Sequence, residues 1–154
     1  MAALSRQEAV AVLEAGQREL DAVFDRLSAA DLEQPGALGD WAAKDLFGHI
    51  ALWEELALQA MDALRSGREP ARGGESADEI NARNHAEQAG KSAAELRARA
   101  ASAHQALLAA LRSLSDEEWQ AMGDRLGGIL GAPGRPFGHA YAHIDDLRAY
   151  AQRR

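Results

Sequence analysis

Five histidines, at positions 49, 85, 104, 139 and 143, are the residues of this 154-residue chain best equipped for chemistry. His139 and His143 stand four apart. On a helix that spacing projects both rings from one face, where two imidazoles can chelate one divalent ion. His49 falls three residues after Leu46 and four before Trp53. It therefore borders the apolar stripe of its own helix and points inward or nearly so. A third imidazole from a facing helix would complete a set that leaves positions open to water or substrate. Imidazole suits zinc, nickel, iron and copper, so ligand type does not select the metal. The spacing is also met by two half-buried histidines bonded to neighbours, because convergence of three rings depends on the fold. His85 lies in a polar segment and reads as solvated. His104 lies near the stripe of a later helix and reads at most as a fourth partner.

These side chains need helices to hold them, and the sequence supplies the signals. Ser5 with Glu8, Ser92 with Glu95 and Ser115 with Glu118 have capping-box spacing, in which each side chain satisfies a free backbone N–H of a first helical turn. After Ser5, the apolar residues Val10, Leu13, Leu20, Phe24 and Leu27 recur at helical steps. Pro35-Gly36 marks a turn. A second helix, announced by Gly39-Asp40-Trp41, carries Leu46, Ile50, Trp53, Ala57, Met61 and Leu64, and Gly67 suits its C-terminal end. Residues 68–76 read as a mobile loop, 77–88 as a short polar helix. Leu96, Ala100, Ala103, Leu107, Leu111 and Leu114 stripe a long third helix. The Ser115 box opens a short turn ending near Trp119, Gly123 to Gly134 reads as loop, and Pro136 suits the first position of a last helix. The architecture expected is all-α: a single domain over residues 1–154, built as a four-helix bundle with a long crossover between the second and third helices and short extra helical turns.

Composition limits the partners. The net charge of -7 argues against a phosphate backbone, and nucleic acid is excluded on that ground. Arg148 to Arg154 is the one dense basic spot, too small for a binding stripe. With no cysteine, disulfides and zinc–thiolate sites are ruled out, and any thiol in the chemistry comes from outside. The N-terminal stretch has charges in its first turns and no signal-peptide core, and every apolar run is broken by charge. The expectation is a cytoplasmic protein with no membrane partner.

Trp41-Ala42-Ala43-Lys44-Asp45 followed by Gly48-His49-Ile50 and Trp53-Glu54 resembles the W-[ST]-x-[KR]-[DE]…H-[LI] segment of the DinB-like superfamily. Asp78-Glu79-Ile80-Asn81-Ala82 is similar to its D-x-x-N-A segment, Leu114 to Trp119 to its connector, and His139 to His143 to its final-helix region. The likeness runs in order over nearly the whole chain and is strongest toward the DfsB/ClbS-like and mycothiol-dependent maleylpyruvate isomerase N-terminal branches. It implies a four-helix bundle that binds a divalent metal through His49, His139 and His143, with zinc expected first and nickel, iron or manganese as alternatives. It further implies activation of a low-molecular-weight thiol or a water toward a small-molecule substrate, and a homodimer built on helix faces. Ala42 departs from the family's Ser/Thr cap, which leaves Asp40 as the candidate cap. Gly48, in mid-helix, calls for a close neighbour. Asp146 could orient His143, or be an exposed aspartate. Trp53 could wall the pocket or be core, Tyr141 reads as packing, Glu54 as a partner for a surface cation, and Asn81 as a brace beneath the site. The chain thus reads as a metal-dependent transferase or hydrolase, against two alternatives: a metal- or small-molecule-binding bundle without turnover, and a metal-free structural bundle.

Overall fold

The computed structural model describes residues 3–70 and 73–154. Met1 and Ala2 of the N-terminal stretch, and Ala71 and Arg72 of the loop expected over 68–76, lie outside the described residues. Among the described residues there are seven helices: α1 (Arg6–Phe24), α2 (Ala29–Glu33), α3 (Ala43–Arg65), α4 (Ala77–Gln88), α5 (Ala93–Ser113), α6 (Asp116–Ile129) and α7 (Tyr141–Gln152). They contain no strand; the isolated bridges Leu38–Trp41 and Ala132–Arg135 only close loops. The fold is the all-α bundle expected. α1, α3, α5 and α7 share one core through Leu20, Phe24, Leu46, Leu96, Ile144 and Leu147. α4 occupies the crossover from α3 to α5, and α3 and α5 make the most extensive pairing.

Local chemistry starts most of these helices. The three expected boxes open α1, α5 and α6, and Ser28–Asp31 and Ser76–Glu79 add two more at α2 and α4. A serine cap of this kind stabilises a helix by about 1 kcal/mol. α3 begins differently. Ala42 sits at the cap and offers no side-chain acceptor, and Asp45 rather than Asp40 accepts the Ala42 N–H, at 3.0 Å. Gly67, at φ 70°, follows the end of α3 as expected.

Two boundaries differ from the sequence reading. The turn expected to stop near Trp119 continues as α6 to Ile129, through residues that read as loop. Met122, Leu126 and Leu130 are buried at steps of four in a second core beneath α1, α3 and α5, and this burial outweighs the helix cost of the glycines. Gly127 lets the chain pack closely there: a Cβ would lie 3.0 Å from the Phe137 ring and 3.3 Å from Pro136. The last helix starts at Tyr141, not at Pro136. Phe137 takes φ 62°, a left-handed conformation costly for a bulky residue, and burial of its ring offsets that cost.

Gly48 has the close neighbour its position calls for. The Gln88 amide, 1% exposed, lies directly across it, where a Cβ would collide. Gln88 Nε2 donates to the Asp45 carbonyl at 3.0 Å, and Asn84 Nδ2 donates to the Gly48 carbonyl at 3.4 Å. Arg99 of α5 completes the brace. It donates to Asn84 Oδ1 at 3.0 Å and grips both oxygens of Glu55 at 2.8 Å. Gly48→Ala is therefore expected to destabilise by about 1–3 kcal/mol, because displacing the amide strands buried polar groups. In a Gln88→Ala background the same change should turn neutral or stabilising, since alanine is favoured over glycine in a helix by about 1 kcal/mol. Urea denaturation of the four proteins measures this; an equal cost in both backgrounds would contradict the collision.

Candidate metal centre

The three histidines singled out from spacing and resemblance come together. His49 Nε2 lies 3.0 Å from His139 Nε2, and His143 Nε2 lies 3.2 Å from the same atom. One ring nitrogen from each residue falls within 4.8 Å of the others. α3 supplies His49 at the middle of its buried face, 5% exposed. α7 supplies His143 in its first turn, but His139 precedes the helix. It sits in a turn whose Tyr141, Ala142 and His143 N–H groups bond three residues back rather than four. Its own N–H donates to Leu130 O at 2.9 Å, and the Phe137 N–H donates to Gly127 O at 3.3 Å. The C-terminal end of α6 therefore positions His139, through the glycine-rich segment that read as loop.

Burial sets the protonation state. It pushes His49 down to about 4, with the neighbouring His143 adding to the effect. Burial, then His49 and His143, pushes His139 down to about 3. His143 is also lowered by burial, against an opposing pull from the Asp146 charge. All three rings are thus neutral near pH 7, as metal ligation requires. The donor geometry fits an ion as well. Tetrahedral zinc with Zn–N bonds of ~2.0–2.1 Å separates its nitrogens by about 3.3 Å, close to the two short edges of the trio. Three neutral Nε2 atoms facing one point cannot all be satisfied by hydrogen bonds to one another, whereas one cation takes all three lone pairs. His49 Nδ1 is buried without a hydrogen-bond partner; the edge of Trp41, ring centroid 5.4 Å away, orients that imidazole by packing.

The surrounding residues fall into place with some corrections. Trp53 is both core and wall: it is buried, its ring is 6.4 Å from that of His139, and its Nε1 donates to Asn81 Oδ1 at 2.9 Å. Asn81 thus braces the wall of the site. Tyr141 packs, under the Arg135 guanidinium at 4.2 Å. His85 is not simply solvated. It stacks on Trp41 at 4.9 Å, with Nε2 3.2 Å from Asp45 Oδ2. His104 stays out of the cluster and meets Glu54 instead, Nδ1 to Oε1 at 3.1 Å. Glu54 therefore has its partner in the interior, not at the surface. Its spacing from Ile50 and Ala57 already places it on the buried stripe, a signal that its charge obscured. Asp146 is exposed, and no hydrogen bond joins it to His143 among the described residues. It helps line a cleft of about 440 Å³ that reaches His143, walled by Leu38, Trp41 and Leu46, with Arg153 at its edge. That volume suits a small molecule. A larger groove of about 1280 Å³, along α6 by Trp119 and Phe137, contains none of the histidines.

Comparison with known proteins agrees with this architecture. The sequence profile of the DinB superfamily matches residues 12–144. No curated protein matches the chain. A solved structure, the colibactin self-resistance protein ClbS in complex with a dsDNA, superposes with a TM-score of 0.70 at 14% identity, covering 94% of this chain and 95% of that one. The exclusion of nucleic acid drawn from net charge is corrected by this finding, since a protein of the same fold is crystallised on DNA. Net charge averages over the whole surface, whereas a phosphate backbone responds to the cations it touches. Among the described residues no helix is long and apolar enough to cross a membrane.

The depressed histidines set a pH dependence for the metal-free protein. The unfolded chain titrates near ~6.5, the folded one near 4 or below. Between those values the unfolded state binds more protons, so stability present above about pH 6.5 is lost as pH falls toward 4. Each such histidine adds ~1.4 kcal/mol per pH unit to the slope. Urea denaturation of chelator-treated protein from pH 7.5 to 4.5 should show this decline, and His139→Gln should flatten it; identical slopes would rule out buried neutral imidazoles.

Proposed function

Because the chain belongs to the DinB superfamily, we propose that it is a metal-dependent enzyme of thiol-transferase or hydrolase type. One divalent ion would be held by the Nε2 atoms of His49, His139 and His143. The observation that carries this reading is the meeting of three neutral ring nitrogens, one from buried His49 and two from half-buried His139 and His143, at one point beside a cleft. Bound there, the ion would supply Lewis acidity that lowers the pKa of a small-molecule thiol or a water. Zinc fits the ligand set, with nickel, iron or manganese as alternatives. The chain has no thiol of its own, so a thiol nucleophile would be a low-molecular-weight cofactor. The side chains do the remaining work. Trp41 and Leu38 wall the cleft and limit water around the reacting group. Neutral rings offer their lone pairs without first losing protons. A non-catalytic binding bundle is the alternative with the same site.

Elemental analysis of the purified protein should find close to one equivalent of a divalent metal, lost in His49→Ala and His143→Ala while the helical circular-dichroism signal remains. Stoichiometric metal in both variants would sink the assignment. Turnover of electrophiles with small thiols or water then separates enzyme from binder.

A second reading, DNA binding, is favoured by one feature of this chain together with the ClbS complex. Arg148, Arg153 and Arg154 fall within seven residues of sequence in and just after α7; Arg153 lines the cleft, Arg148 lies beside Asp145, and Arg154 is paired with Asp31 at 2.7 Å. A short duplex followed by fluorescence anisotropy should bind more weakly as salt rises, and the triple alanine variant should reduce both the affinity and the salt slope. Absence of binding at low salt would remove this reading.

A further inference from the structure

Glu54 is the most deeply buried acid in the described structure, 5% exposed, and only half of it is accounted for. Oε1 faces His104 Nδ1 at 3.1 Å, while Oε2 is buried with no hydrogen-bond partner. Buried polar atoms are nearly always paired, through protein or ordered water. Glu54 also borders a small internal cavity of about 10 Å³, together with Gln17 and His139 and apolar walls from Ile50, Leu130 and Phe137. That is the room one water needs (~10–15 Å³), and three polar neighbours meet a water's demand for two to four partners. The roles are complementary. Gln17 Nε2 donates one of its two N–H groups to Asp21 Oδ1 at 3.0 Å, and the Gln17 carbonyl oxygen is an acceptor. Glu54 Oε2 is a second acceptor. His139 points Nε2 at the trio, so Nδ1 carries its proton when Nε2 serves as a ligand. A water can donate to both acceptors and accept from that N–H.

We propose that Glu54 is the positioning residue of the histidine centre, fixing the ring and tautomer of His139 through one internal water shared with Gln17. Carboxylates behind metal-bound histidines do this in general. Here the role falls to a buried acid on α3, braced by His104, rather than to the exposed Asp146 at the cleft. The inference rests on the metal-binding reading of the trio, and its test separates the two.

Zinc affinity is measured by chelator competition for the wild type, Glu54→Leu, Glu54→Gln, Gln17→Leu and Asp146→Asn. Glu54→Leu should weaken binding by ~10–100-fold, Glu54→Gln should recover part of it by keeping an acceptor oxygen, and Asp146→Asn, which removes only a charge at the cleft, should weaken it less than Glu54→Leu. Gln17→Leu leaves the Glu54–His104 pair intact and should weaken zinc in the same direction, which covers the case in which Glu54→Leu does not fold. A second readout is ¹⁵N NMR of the His139 ring in metal-free protein. The wild type should show a protected Nδ1–H that Gln17→Leu loses, a change that loss of packing at Glu54 would not produce. If the wild type binds zinc and none of the cavity variants weakens it, the positioning role is overturned while the trio stands. If the wild type binds no zinc, the reading of the trio fails first, and an unprotected His139 Nδ1–H then overturns the water bridge as well.

Discussion

Three imidazoles, one buried and two half-buried, meeting at one point impose the constraint that the rest of this structure accommodates. Each neutral ring has one nitrogen that must accept and one that must donate, and burial removes the water that would otherwise serve both. Two of the three contacts are as short as 3.0 and 3.2 Å between like atoms. Packing must hold such an arrangement in place, because the rings gain little from one another without an ion between them. The cost appears as the depression of all three histidines below their ordinary range, with desolvation as the leading cause each time.

The surrounding fold can be understood as the means of holding those rings. α3 is fixed at its start by Asp45 and across its middle by Gln88, which lies in the space that Gly48 leaves open. The same helix carries His49 one residue later, so the polar brace from α4 and the histidine position are mechanically one unit. On the other side, His139 hangs from Leu130 by a backbone hydrogen bond, and the left-handed Phe137 turns the chain so that α7 can begin. α6 and its glycines therefore position the trio even though they contribute no histidine to it. Gly48 is no ordinary helical glycine, because the Gln88 side chain occupies the space of its Cβ, and at Gly127 the Phe137 ring and Pro136 leave a Cβ little room.

Much of this was legible in the residues themselves, and the failures share a cause. The capping boxes at Ser5, Ser92 and Ser115 fix helix starts by local chemistry, so they could be read directly. The apolar stripe of α3 placed His49 inward for the same reason. α6 was hidden because its glycines lower helix propensity, and only the second core, through Met122 and Leu126, recovers it. Pro136 looked like a helix start, yet the close approach of Phe137 to Gly127 postpones α7 to Tyr141. Glu54 and His85 were assigned to the surface from their charge and setting, while their partners, His104 and Asp45, are 50 and 40 residues away in sequence. Long-range pairing of this kind leaves no local mark. Net charge misled in the same way: a whole-chain sum says little about the few cations a phosphate backbone would touch.

X-ray absorption at the metal edge of the metal-loaded protein reads the ligands of the histidine centre. Three nitrogen scatterers at ~2.0–2.1 Å with the outer-shell scattering of imidazole rings are expected, reduced to two in His49→Ala. A first shell of oxygens alone, unchanged by that substitution, would contradict metal binding by the trio.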